Sequence, residues 1–220
     1  MSETAPDKVD LLEALRTTPS RRYLSDTPIP DAVLWELLDT AVRGPSGGNR
    51  QSWGWVVVTD PDVKARIASW YRQGWDAAYG VRRDELTDPG RDAADTGLTP
   101  ASYRATEHLA EHLAEAPVFV VPVLRGAADS TDKRLGASIY GAVQQLLLAA
   151  RAYGIGGVLT SLYLVGEQEI DTLLGLPDDA ATMGLVPLGY PARGRWSTPR
   201  RQPVEQVVHW ERWGTTRVRD

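Results

Sequence analysis

Cysteine is absent from all 220 residues. That excludes a disulfide scaffold, a thiolate nucleophile and every Cys-based zinc site. Histidine is scarce, with three copies, and phenylalanine occurs once against eight Trp and eight Tyr. Tyr and Trp offer flat apolar surface with a polar handle, which suits cores and ligand pockets alike. An excess of positive charge is also missing: 24 Lys+Arg stand against 29 Asp+Glu, for a net charge of −5. That sign argues against nucleic acid as a partner. No apolar run approaches the roughly 18 residues of a membrane span. The first eight residues have neither the basic nor the apolar region of a secretory signal, so a cytoplasmic protein that does not engage a membrane is expected.

A chain of this length can bury about 70% of its unfolded surface and needs no staple. A single domain over 1–220 is the expectation. Helical periodicity appears at Val9, Leu11, Leu12 and Leu15, and again at Val33, Leu34, Leu37, Leu38 and Ala41, closed by Gly44-Pro45. Residues 53–59 read as a strand through Val56-Val57-Val58. Asp60-Pro61 opens a helix carrying Val63, Ile67, Trp70 and Tyr71. Further on, 117–124 predicts a strand, 134–153 a long helix, 158–164 a strand, 167–174 a short helix and 183–190 a last strand. This order predicts an α+β sandwich: a mostly antiparallel sheet of four to five strands flanked by helices.

Two regions stand apart. Residues 72–115 are polar, and between 84 and 115 eight acids face two bases. The stretch reads as a mobile loop or a pair of solvated helices laid over the body, a variable lid. Its neighbourhood holds Trp70, Tyr71, Trp75, Tyr79 and Tyr103, placed either to stack on an aromatic ligand or to pack the lid on the core. Residues 191–220 form a tail with no core of their own.

Several motifs fail on context. Gly44-Pro45-Ser46-Gly47-Gly48 matches the spacing of a nucleophile elbow, but a helix precedes it and a strand follows, the reverse of that motif. Gly154-Ile155-Gly156-Gly157 follows a helix and enters a strand, so it presents no helix N-terminus to a dinucleotide. His108-Leu109-Ala110-Glu111-His112 has the spacing of a zinc site, but the only other histidine is His209, and a solvated acidic helix explains it as well. No metal site is expected.

Two features survive. In Pro45-Ser46-Gly47-Gly48-Asn49-Arg50-Gln51-Ser52-Trp53, two glycines permit close backbone approach to a flat ligand, and Asn49 and Gln51 can read the edge of a heteroaromatic ring. An ordinary helix-to-strand connection would also take these residues. The second feature is Arg193, Arg195, Arg200 and Arg201, in a run from 193 to 203 free of acids. Four arginines in nine positions suit a phosphate clamp, or else a solvated charged tail. Phosphate at one end and an aromatic amide edge at the other describe a nucleotide-like or flavin ligand.

At these residues the chain resembles the FMN-dependent nitroreductase family. That family runs R-R-S-x-R-x-F, a P-V-P helix start, then A-P-S-x-x-N-x-Q-P-W before a Val-rich strand. The matching stretches are Thr18-Pro19-Ser20-Arg21-Arg22-Tyr23, Pro28-Ile29-Pro30, Arg43-Gly44-Pro45 through Trp53, and Val56-Val57-Val58. Gly136–Tyr140, Gly154–Thr160, Leu188-Gly189-Tyr190-Pro191 and 200–208 are similar to later family segments. The likeness spans most of the chain outside 72–115.

The resemblance implies bound FMN, reduction by NADH or NADPH in a ping-pong cycle, and a small, electron-poor, aromatic acceptor such as a nitroaromatic or quinone. It also leaves room for dehalogenation or oxidative tailoring of a metabolite on the same cofactor, or for a non-catalytic flavin-binding protein. By it, Ser20 and Arg22 contact the ribityl-phosphate or pyrimidine side, with Arg22 set to stabilise charge near N1 and C2=O. Arg201, helped by Arg200, grips the phosphate. Pro45, Ser46, Gly47 and Asn49 line the isoalloxazine, with Gln51 nearby, and backbone around Thr160, Ser161 and Leu162 faces N5. It implies a homodimer with two interface sites, completed by a tail, 191–220, that wraps the partner. Departures are visible: the family's Arg-Arg pair falls on Thr18 and Pro19, its Pro after Gln is Ser52, and its Phe is Tyr23.

Overall fold

The fold is described from a computed structural model covering residues 9–88, 99–128, 130–132 and 134–218. Five strands form one sheet: β1 (Trp53–Val58), β2 (Val118–Arg125), β3 (Gly156–Gly157), β4 (Ala180–Thr182) and β5 (Val186–Gly189). The order is β1-β2-β5-β3, and β4 shares the second edge of β2 with β5. Every pairing among them is antiparallel, with Val56 opposite Val121 and Val118 opposite Leu188.

Strand β2 is buried along almost its whole length and feeds two cores by alternation. Phe119, Val121 and Val123 face one core, and Val118, Val120 and Leu124 the other. The first core takes helix α3 (Pro61–Ala78) and helix α5 (Pro100–His112). Helix α3 starts where the sequence predicts, with the Asp60 carboxylate accepting from the amides of Asp62 and Val63 at 2.9 Å. The second core takes α2 (Asp31–Ala41) and α6 (Tyr140–Ala152). Helices α1 (Leu11–Thr17), α4 (Arg83–Thr87) and α7 (Glu167–Leu174) complete the described elements.

Three expectations are corrected. The long helix begins at Tyr140, not 134, because Leu135–Ser138 winds into a tighter 3-10 turn. The strand expected over 158–164 is β3 at Gly156–Gly157, followed by an isolated bridge from Thr160 to Leu185. A 3-10 turn then occupies Leu162–Gly166, pressed against α3: a Cβ on Gly74 would overlap the Leu162 carbonyl oxygen. Thirdly, α5 is no solvated surface helix, since Tyr103, Leu109 and Ala110 are buried in the first core. Part of the expected lid, residues 89–98, lies outside the described residues.

The segment after α1 runs along the β3 side of the sheet. The Arg21 amide donates to the Gly157 carbonyl at 2.9 Å, and the Ser25 amide to Tyr190 at 2.8 Å. The Ala192 amide returns a bond to the Tyr23 carbonyl at 3.0 Å. Residues 18–25 and the start of the tail are thus laced together at one edge. No helix among the described residues is long and apolar enough to cross a membrane.

Candidate functional site

The lacing brings distant sequence to one cleft of about 430 Å³, lined by Arg16, Thr18, Ser20, Gln144, Thr198 and Arg201 among others. Thr18, Ser20 and Arg201 all line this cleft, and no acidic side chain among the described residues lines it. The Thr18 hydroxyl donates to the Ala14 carbonyl at 2.6 Å, closing the end of α1, so its proton is already committed. Arg200 does not line the cleft; its carbonyl accepts from the Arg201 guanidinium at 2.8 Å. Arg193 and Arg195 serve structure. Their carbonyls, with that of Gly194, accept from the Arg21 guanidinium at 2.9–3.3 Å. Trp196 lies between two guanidiniums, with Arg21 at 4.8 Å and Arg151 at 4.2 Å from the ring centre.

Arg22 points elsewhere. It lies near Tyr71 and Tyr79 of the α3 region, largely enclosed, with no hydrogen bond or ion pair among the described residues. Burial lowers its pKa from the ordinary arginine value, and the two tyrosines oppose that shift. The Thr160 hydroxyl donates to the Tyr71 hydroxyl at 3.2 Å, and burial pushes the Tyr71 pKa up. Beyond Thr160, Ser161 and Leu162 border a shallow apolar recess with Gly74, Ala77 and Val165, and no charged side chain among the described residues lines it.

The loop 45–51 is held at the N-terminal end of α6. The Gly47 amide donates to the Ser138 hydroxyl at 3.2 Å, and the Gln51 amide to the Ser46 hydroxyl at 3.0 Å. Gly48, Asn49 and Gln51 all adopt left-handed backbone, at φ 59°, 52° and 50°. Asn tolerates that region but Gln does so at a cost, which local stability alone does not explain. Asn49 and Gln51 are exposed, and Pro45 packs near Gly141. These loop residues do not line the cleft that holds Arg201.

The aromatic residues of the lid neighbourhood pack inward. Tyr71, Trp75 and Tyr103 are almost wholly buried, with Trp75 and Tyr103 at 5.6 Å between ring centres. His108 stacks on Tyr23 at 4.3 Å and on His112 at 4.3 Å, and His112 Nδ1 lies 2.8 Å from Glu115. Burial lowers the His108 pKa, with His112 and Arg193 adding to the shift. Tyr23 and His108 are stacked at 26° between ring planes, while His108 and His112 are tilted at 33°. Among the described residues no group of three or more His, Asp or Glu is arranged to hold a metal.

Sequence reasoning missed Arg16 and Gly74. Arg16 carries no local motif, and Gly74 sits on a helix whose register against 160–166 is a tertiary fact. The acid-free arginine run was the one signal that pointed to the cleft.

A five-stranded antiparallel sheet between helical layers, with a cleft lined by Arg16 and Arg201 at its edge, defines an α+β protein. The family model described as the nitroreductase family matches residues 15–190, and the chain belongs to that family. A protein named NADH dehydrogenase from Thermus thermophilus is 30% identical, over 96% of this chain and all of its own. Rat iodotyrosine deiodinase 1 is 27% identical, over 90% of this chain and 68% of its own. Among solved structures, an FMN and NADPH-dependent nitroreductase from sphigopyxis sp. strain HMH superposes with a TM-score of 0.70 at 21% identity. That match covers 93% of this chain and the whole of the other.

Proposed function

We propose that this chain is an FMN-dependent oxidoreductase that takes hydride from NADH or NADPH and passes electrons to a small, electron-poor aromatic acceptor, a nitroaromatic or a quinone. The observation that carries this reading is a pair of cationic positions with no acidic partner among the described residues: Arg201 in its cleft and the half-buried Arg22. Leaving a half-buried charge such as Arg22 unpaired is costly, so the arrangement fits a ligand that is anionic at one end and electron-accepting at the other. Membership of the family and the relatives named for NADH dehydrogenase and nitroreductase activity support the same reading.

FMN, when bound, supplies the hydride chemistry, and the protein supplies position and field. In this proposal Arg201 and Ser20 hold the phosphate end, while Thr18 keeps the cleft wall in place. Arg22 sets positive charge beside the pyrimidine edge, where negative charge develops on reduction. Backbone at Thr160, Ser161 and Leu162 borders the reacting edge, and the uncharged recess beside it admits a neutral aromatic ring. Pro45, Ser46, Gly47, Asn49 and Gln51 offer the ring edge a loop already held in an unusual backbone shape.

The proposal includes a homodimer, a single domain over 1–220, and a tail from 191 that wraps the partner. Support comes from the apolar surface the tail leaves bare: Val204, Val207, Val208, Trp210 and Trp213 are all exposed. Leu11, Leu12 and Leu15 on α1 are exposed as well. Apolar groups gathered in this way mark an interaction surface.

The test is steady-state kinetics with FMN-loaded protein, NADPH or NADH as donor, and a nitroarene or quinone as acceptor. Parallel double-reciprocal lines are expected, because donor and acceptor use one site in turn. Absence of turnover with flavin bound contradicts the proposal. The deiodinase relatives favour a second reading, reductive dehalogenation on the same cofactor. Halide release from an iodinated phenol, at a rate exceeding nitroarene turnover, would select it.

A further inference from the structure

We propose that His108, Tyr23 and Arg193 form an acid-sensitive clasp, which ties helix α5 to the start of the tail at neutral pH and opens when His108 takes up a proton. Three separate parts of the chain meet here. Tyr23 belongs to the segment after α1, His108 to α5 and Arg193 to the tail. His108 is stacked on the Tyr23 ring at 4.3 Å, and the Arg193 guanidinium carbon lies 3.3 Å from the centre of the same ring. One phenol face has no room for both, so they take opposite faces. The backbone beside them is already laced. The Ala192 amide donates to the Tyr23 carbonyl at 3.0 Å, Leu24 bridges to Pro191, and the carbonyls of Arg193 and Gly194 accept from Arg21. The aromatic sandwich extends that lacing to α5. It needs no bound flavin, since every group in it belongs to this chain.

The sandwich has a place for one cation, and Arg193 fills it. The negative face of a phenol ring attracts a cation. Across the ring, His108 fits as a neutral imidazole. Its charged form would lose water in a half-buried position and would meet like charge on two sides. Arg193 stands across the ring, and His112, packed at 4.3 Å, forms an ion pair with Glu115 when it is protonated. Arg104, one turn earlier on α5 and exposed, adds a further positive charge. Glu111 and Glu115 pull the other way. Burial is the largest influence, followed by His112 and Arg193, and the His108 pKa is lowered from the ordinary histidine value of 6.5. The unfolded chain therefore binds this proton more readily than the folded one. The stability that neutral His108 contributes is complete above pH 6.5 and is lost as the pH falls towards the lower folded value.

The test compares wild type with His108→Phe, which keeps a ring against Tyr23 but cannot titrate. Thermal unfolding is followed from about pH 7.5 to about pH 5.5, together with hydrogen exchange at the Ala192 amide corrected for its intrinsic rate. The wild-type midpoint should fall by about 2 °C or more beyond the fall in His108→Phe. Ala192 should lose protection in acid in wild type only. Groups that both proteins share, His209 and the carboxylates among them, cancel in this comparison. Where His108→Phe does not fold, NMR titration of the His108 ring in wild type and Arg193→Gln decides. Removing the guanidinium should move the His108 midpoint upward. Parallel pH profiles in wild type and His108→Phe, or undiminished Ala192 protection in acid, overturn the inference. So does a His108 midpoint that Arg193→Gln leaves in place.

Discussion

The two faces of the sheet are built from different chemistry. Against α2 and α6 the fully buried side chains are aliphatic: Leu37, Val118, Val120, Ile139, Leu146, Val186 and Leu188. Against α3 and α5 they include Tyr71, Trp75, Tyr103, Phe119 and Tyr163. Aliphatic side chains are held by shape and area and have no polar atoms of their own, although Trp55 Nε1 and Arg151 Nε on this side are buried with no hydrogen-bond partner among the described residues. The aromatic face brings more hydroxyls and indole N–H groups inside, and Trp75 Nε1, Tyr103 OH and Tyr163 OH find no hydrogen-bond partner among the described residues. That face also carries Tyr71 and Thr160, the enclosed Arg22, and the turn seated on Gly74. The core of one side is purely aliphatic; the core of the other accepts buried polar atoms next to the candidate chemistry.

The largest effect expected from this contrast is on the aliphatic side. Leu146→Ala should cost about 2–5 kcal/mol in urea unfolding, because Leu146 is completely buried and its neighbours cannot follow it inward. A loss under about 1 kcal/mol would mean that this core is loosely packed. On the aromatic side, Arg22→Leu should act in opposite directions on two readouts. The flavin-free protein should gain thermal stability, since an enclosed charge without a counter-ion disappears. Flavin retention on dilution should fall. A drop in both would show that Arg22 has a structural partner, and a rise in both would remove it from the site. The smallest effect is expected from Tyr103→Phe. Its hydroxyl is buried and unpartnered, so its removal should change stability by less than about 0.5 kcal/mol, or raise it. A clear loss would indicate a hydrogen bond to the Tyr103 hydroxyl through water.

Much of this contrast can be read in the sequence. The helix at 31–41, the start of α3 at Pro61 and the strands at 53–58 and 118–125 follow from periodicity and from Asp60-Pro61 and Gly44-Pro45 punctuation, whereas the last turns of α3, 72–78, fall in the polar stretch expected to be a lid. Residues 158–164 mislead because Val158-Leu159-Thr160 has strand composition, while the path of the backbone is set by α3 pressing on Leu162 and Trp70 packing on Gly166. Strand β4, Ala180–Thr182, has two alanines and only three residues, too weak a pattern to stand out. The site divides in the same way. Thr18, Ser20 and Arg201 were legible because short motifs and an acid-free run carry them. Arg16 and Gly74 come to their places through tertiary placement, for which a single sequence holds no local signal.

The most direct test of the central claim is the visible absorption spectrum of the purified, FMN-saturated protein, followed anaerobically on addition of NADPH and then NADH. The account predicts a protein-bound flavin band that bleaches with at least one of the two donors. A bound flavin that neither donor bleaches, or a protein that fails to retain FMN at all, would contradict it.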